Sequence, residues 1–304
     1  MSKFEQIKAD IANLDASQLV SIRDMIAQFV QKQAAAVALE SRVRNLASKP
    51  CVHCGFSALI RWGKTPAGTP RLKCRNCKAT HVATHGTVFR GMKRRDQWVN
   101  FMGEMRRHSS ILDMEATLRM SHTTMLRWRH RILSAFDMNS VMAGLVQADE
   151  KYFRVSYKGQ QIPAGYKTRK RGGASKRGLS AQQVCVVTAA DSNGSINQSV
   201  IGGRTKANIL AAILPWLSTE TVVVSDGQGA YSQAANVIGC VHIPAGQSYM
   251  NLNRINAYHT QIENLVNRKC LGVSTKHLSK YLAWARLMTQ KAAFGEGLLE
   301  AVLA

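Results

Sequence analysis

Two Cys-x-x-Cys pairs, Cys51/Cys54 and Cys74/Cys77, form the pattern C-x2-C-x19-C-x2-C near the front of this chain. Four thiolates on two knuckles at this spacing close a tetrahedral zinc site. A segment so short holds little core, so metal binding would supply much of its folding free energy. Between the pairs, LIRWGK and TPRLKC are predicted to form a hairpin turned by Pro66-Ala67-Gly68. We therefore expect a zinc ribbon over residues 49–92. A redox Cys-x-x-Cys needs a βαβ setting and one pair rather than two. The chain has seven cysteines, an odd count that speaks against a disulfide scaffold; Cys185, Cys240 and Cys270 lie in or beside apolar segments and read as small buried hydrophobes.

The 304 residues, 45% of them apolar, can bury a real core in more than one domain. The formal net charge of +23 exceeds what solubility requires and points to a polyanionic partner, nucleic acid ahead of a membrane. No run of about eighteen uninterrupted apolar residues occurs, and MSKFEQIKADIANLD has early acids and no signal-type apolar core, so a cytoplasmic protein without a membrane partner is expected. His53, His81 and His85 are spare ligand candidates. With four cysteines available they read as surface or DNA-facing positions.

Residues 1–48 are predicted to be a helical arm. Phe4, Ile7, Ile11, Leu14, Leu19, Ile22, Ile26 and Phe29 recur at helical steps, with a break at Asp15-Ala16-Ser17. Packing on its own chain, dimerisation and binding to DNA ends all fit this arm. Residues 93–140 again read as helical, and ILDMEATLRM followed by SHTTMLRWRHRILSAF has helix-turn-helix spacing, with Ser121 as a cap. Arg127, Arg129 and Arg131 of the second helix are candidate DNA contacts.

From Val141 the texture changes to apolar runs of strand length. Five strands are expected in LVQADEKYFRVSY, QQVCVVTAA, INQSVIGG, TVVVSD and GCVHIP, with helices in NILAAILPWL and after Gln228. Three strands followed by strand–helix alternation give an α/β mixed sheet with helices on its faces, the order of the RNase H-like fold. Acid is scarce here: between Lys151 and Gly295 only Asp191, Glu220, Asp226 and Glu263 occur. Asp191 opens a turn and Glu220 sits in a loop. Asp226 ends a valine run, where a carboxylate needs a partner or a metal.

Asp149, Asp226 and Glu263 thus form a candidate divalent-metal site facing a phosphate backbone. Hard cations take oxygen ligands, and two of them about 4 Å apart can activate a nucleophile, stabilise a pentacovalent phosphate and neutralise the leaving oxygen. Asp149 would bridge Mg2+ or Mn2+ ions, flanked by Asp226 and Glu263. Glu150 is expected on the opposite strand face, meeting a basic neighbour. His259, four residues before Glu263, would share its helical face.

Asp149, Asp226 and Glu263, with ADEKYF, VSDGQGAY and HTQIENLVNR around them and the Cys-rich CRNCKATHVATHGTVF upstream, resemble the DDE transposases of bacterial insertion sequences that carry an N-terminal zinc ribbon. The resemblance covers residues 49 to about 290. It implies an RNase H-like catalytic domain over 141–304, preceded by the ribbon and the helix-turn-helix; the first 48 residues lie outside it. It also implies binding of transposon terminal inverted repeats, cleavage freeing a 3′-hydroxyl, joining to target DNA, and a homo-oligomer of at least two chains. Gln147 and Gln261 depart from the usual acidic residue and asparagine at those places, and neither removes a triad carboxylate. The acid-free loop holding Lys167, Arg169, Lys170, Arg171, Lys176 and Arg177, together with Arg268 and Lys269 beside the third carboxylate, is expected to hold DNA. Two alternatives use the same residues: a sequence-specific DNA-binding regulator with a non-catalytic sheet domain, and a stand-alone RNase H-type or junction nuclease.

Overall fold

A computed structural model describes residues 2–66, 68–92, 94, 97–136, 139–166, 180, 182–227, 229–246 and 251–289. The chain divides into two compact units, one running to Arg107 and the other beginning at His108.

The first unit opens with α1 (Lys3–Ala12) and α2 (Ala16–Ala47). Their break falls where the sequence places it: Asp15 accepts from the Gln18 N–H while the Gln18 side chain returns to the Asp15 N–H, a reciprocal cap. Among the described residues, the end of α2 is anchored. Leu39 and Val43 are buried, and Arg42 donates to the carbonyls of Ala83 and His85 at 2.9 and 3.1 Å. Phe4, Ile7, Leu19, Ile26 and Phe29 are exposed.

The ribbon is the antiparallel sheet β1 (Leu59–Lys64), β2 (Pro70–Cys74), β3 (Thr80–Val82). Its first turn closes through Thr65 N to Thr69 O at 2.8 Å, with Gly68 at φ +72°. Behind it, Phe89 stacks at 4.0 Å on Trp98 of α3 (Trp98–Arg106), whose Phe101 and Met105 are also buried. The sequence suggested one region over 93–140, whereas the division at Arg107 leaves α3 in the first unit, its apolar face filled by Phe89.

The second unit holds α4 (Ile111–Leu118) and α5 (His122–Leu133), joined by a turn with Arg119 at φ +50°. Ser121 occupies the cap position of α5, but its hydroxyl meets Thr124 Oγ1 at 2.9 Å instead of capping a backbone N–H. All five expected strands form: β4 (Gly144–Arg154), β5 (Gln183–Asp191), β6 (Ile196–Ile201), β7 (Thr221–Ser225) and β8 (Val241–Pro244). They lie in the order β6-β5-β4-β7-β8. β5 is antiparallel to β4 and to β6, and β4, β7 and β8 run parallel. Strand order 3-2-1-4-5 with the second strand reversed is the RNase H-like arrangement.

Period-two alternation along β4 divides its chemistry. Val146 and Ala148 point into the core made with α6 (Lys206–Ile213) and α7 (Gly229–Ile238), through Ile209, Ile213, Tyr231 and Ala234. Gln147, Asp149 and Lys151 point to the other face, toward α8 (Asn253–Glu263). A π turn (Asn264–Lys269) and α9 (Leu278–Thr289) follow, and α9 packs on α5 through Tyr281 and Trp284.

Candidate active site and metal centres

Register brings the two aspartates together. Parallel pairing sets Gln147 opposite Val224, so two residues further along, Asp149 and Asp226 stand level on adjacent strands. One carboxylate oxygen from each of Asp149, Glu150 and Asp226 lies within 4.8 Å of the others.

α8 is seated on β4 by a ladder of three contacts. The Gln147 side-chain carbonyl accepts from the Ile255 N–H at 3.1 Å, His259 Nδ1 lies 3.7 Å from Asp149 Oδ2, and Lys151 Nζ meets Glu263 Oε2 at 2.7 Å. The ladder works because two strand residues advance about 6.8 Å and four helical residues about 6 Å, so every second strand residue meets every fourth helix residue. Gln147 thereby serves as a cap for a helix whose own N-terminus has no side-chain cap. The amide oxygen supplies the acceptor.

The same ladder places Glu263 over Lys151. Among the described residues the carboxylate cluster holds Asp149, Glu150 and Asp226, and Glu263 is outside it. The expectation for Glu150 is met in one respect: its side chain is buried, accepting from the Tyr231 hydroxyl at 2.8 Å and pairing with Arg204 at 3.1 Å. It differs in another, since Glu150 still reaches the cluster from the opposite strand face. The adjoining β7 end is held by His242, which takes Ser225 and Ser232 hydroxyls on its two ring nitrogens, each at 2.9 Å. Lys151, Arg204, Tyr231 and His242 were not singled out from sequence. For Lys151, the signal was there in its alternation with Asp149.

Electrostatics favour a cation here. Burial pushes the Asp149 carboxyl up to about 6, helped by Glu150 and Asp226 and opposed by the Glu150 N–H. Burial, then Lys151, pushes His259 down to about 4, so its ring is neutral at pH 7 and the contact with Asp149 is not an ion pair. His259 Nε2 is a buried atom with no protein partner. Clustered, partly desolvated carboxylates fit a hard divalent ion.

In the ribbon, Cys51, Cys54, Cys74 and Cys77 converge with all sulfurs within 4.8 Å. Cys51 and Cys77 are 3.6 Å apart and Cys54 and Cys74 3.7 Å. A tetrahedron with zinc–sulfur bonds of about 2.3 Å has edges near 3.8 Å, so the cage fits zinc. Each knuckle turns through a left-handed residue just after its second cysteine, Gly55 at φ +69° and Lys78 at φ +63°. Matching bonds close them, Cys51 N to Phe56 O and Cys74 N to Ala79 O, both 2.9 Å. The Phe56 N–H draws the Cys54 thiol down to about 6. His81 is not a surface residue: it is buried, with Nε2 3.3 Å from Cys51 Sγ.

Of the candidate DNA contacts, Arg127, Arg268 and Lys269 are exposed and Arg131 is half-buried. Arg129 does not belong with them. It is 2% exposed, donates to Ser109 O at 2.8 Å and lies 4.7 Å from the Trp284 ring centre. It falls on the inward stripe of α5 with Met125, Trp128 and Ile132. Lys167, Arg169, Lys170, Arg171, Lys176 and Arg177 lie outside the described residues. Cys185 is buried as expected, while Cys240 and Cys270 are partly exposed. Among the described residues no helix is long and apolar enough to cross a membrane.

No curated protein matches this chain. Among solved structures it is similar to a simian T-cell lymphotropic virus intasome in complex with PP2A regulatory subunit B56 gamma, at 9% identity and a TM-score of 0.31, covering 61% of this chain and 64% of that one. It is also similar to a pre-cleavage Mos1 transpososome, at 8% identity and a TM-score of 0.25, covering 62% of this chain and 76% of that one. The strand order above, rather than these loose overlaps, defines the fold. Residues 141–286 match the family model of the ISXO2-like transposase domain. That span takes in β4 to β8 and α6 to α8 with Asp149, Asp226 and Glu263, and this part of the chain is a transposase domain of the insertion-sequence DDE class.

Proposed function

We propose that the chain is a metal-dependent DNA transposase that binds transposon terminal inverted repeats, cleaves a phosphodiester to free a 3′-hydroxyl, and joins that hydroxyl to target DNA. The observation that carries this reading is the meeting of Asp149, midway along β4, with Asp226, just past the end of β7. Asp149, Asp226 and Glu263 would hold Mg2+ or Mn2+. Bound there, the ions supply Lewis acidity for the attacking and leaving oxygens.

The protein's own groups set the rest. Asp149 is central because it shares the cluster with Asp226 and faces α8 through His259. His259, neutral and partly aimed at Asp149, orients that carboxylate. Lys151 holds Glu263 outside the cluster, so Glu263 would have to leave that ammonium to hold a cation with Asp149 and Asp226. Exposed Arg127, Arg268 and Lys269, with the basic segment 167–177, supply cations for the DNA backbone. Cys51, Cys54, Cys74 and Cys77 would hold a structural Zn2+. Two DNA ends must be held together, so the working form is a homo-oligomer.

The test is cleavage and joining of DNA carrying the terminal repeats, with and without Mg2+. Products that require both the metal and Asp226 support the reading. DNA binding with no metal-dependent change in the DNA would replace it with the regulator.

A further inference from the structure

Glu150 joins three elements that the transposase reading does not otherwise connect. It sits on β4 directly after Asp149, with its side chain 3% exposed. Its Oε1 accepts from Tyr231 on α7, the helix that begins just after the Asp226 turn. Its Oε2 meets Arg204, which immediately precedes Thr205, the N-cap of α6. A buried carboxylate is expensive unless both oxygens are satisfied, and here both are. The Asp226 turn passes through Gly227 at φ +85°, and Tyr231 anchors the first helical turn beyond it.

We propose that Glu150 is a positioning residue. Held by Tyr231 and Arg204, it fixes the separation of Asp149 and Asp226, and so sets the affinity of the catalytic cation without ligating it. This rests on the reading of Asp149 and Asp226 as cation ligands. The strut acts on geometry: losing the Tyr231 hydroxyl frees the Asp226 turn to drift from β4, and losing the Arg204 cation leaves Glu150 charged and buried without its counter-ion.

The experiment measures Mn2+ binding to the full chain without DNA, from the free-ion signal in electron paramagnetic resonance, with the thermal midpoint recorded for each variant. Tyr231→Phe keeps the ring and should weaken Mn2+ by about 10-fold, the cost typical of lost partners behind ligands. Arg204→Gln, altered in a loop outside the core, should weaken it similarly and stands in should Tyr231→Phe fold poorly. Asp226→Asn should abolish the site. Wild-type affinity in both Tyr231→Phe and Arg204→Gln, alongside loss in Asp226→Asn, overturns the positioning role and leaves the metal site standing. Loss in Glu150→Gln as complete as in Asp226→Asn, with the other two unchanged, makes Glu150 a ligand and also overturns it. Wild-type binding in Asp226→Asn removes the metal site and this inference together.

Discussion

Lys151 holds Glu263 at 2.7 Å, so the carboxylate proposed as the third of a DDE set is paired with an ammonium rather than grouped with Asp149 and Asp226. The pair is partly solvated, with side-chain exposures of 27% and 49%. Such pairs are worth about 1 kcal/mol or less, well within reach of a divalent ion. Lys151→Met should therefore lower the Mg2+ concentration for half-maximal cleavage, by up to about fivefold. A metal titration of the cleavage rate checks this, and an increased requirement would mean that Lys151 assists rather than competes.

Arg129 and Arg127 should separate cleanly. Removing Arg129 deletes a stacked cation and a charged hydrogen bond from a packed interior, and Arg129→Ala should cost about 2–4 kcal/mol of stability. Denaturant unfolding measures it. Arg127→Ala should leave stability within about 0.5 kcal/mol and reduce the salt slope of DNA binding by about one.

Chelation should unfold the ribbon alone. The purified chain should carry one Zn2+, and its removal, or Cys51→Ser, should expose residues 51–82 to proteolysis while the sheet unit survives, because that unit has its own core. Metal analysis and limited proteolysis test both halves. Loss of the sheet unit's thermal transition on chelation would contradict the separation.

Acid should destabilise the second unit. Burial, then His277, Lys280, Arg129 and Lys276, pushes His130 from an ordinary 6.5 down to about 4, and its ring stacks on His277 at 4.0 Å. The unfolded chain therefore binds more protons between these values. Stability is fully present above about pH 6.5 and falls as the pH drops toward 4. Melting temperatures across that range should decline less steeply in His130→Phe, and an unchanged slope would assign the loss to other groups.

Much of this organisation is legible in sequence where spacing or scarcity carries it. The cysteine pattern marks the cage, five apolar runs mark the strands, and acid-poor surroundings isolate Asp149, Asp226 and Glu263. Strand alternation sends Glu150 to the other face, yet proximity is set by side-chain reach as well as by facing, so Glu150 still meets the cluster. Arg129 shows the opposite lapse. Its positive charge suggests DNA, but its place with Met125, Trp128 and Ile132 at steps of three and four puts it on the buried stripe. The pairing of Lys151 with Glu263 depends on how α8 is seated through Gln147, a long-range fit that no local pattern encodes.

The central claim is that Asp149 and Asp226 support metal-dependent DNA cleavage. The direct measurement takes duplexes from the DNA flanking the chain's own reading frame and analyses them for free 3′-hydroxyl ends after incubation with the purified protein and Mg2+. The account predicts discrete cleavage at the repeat ends by the wild-type chain, none without the metal, and none by Asp226→Ala. The same products from Asp226→Ala would contradict it.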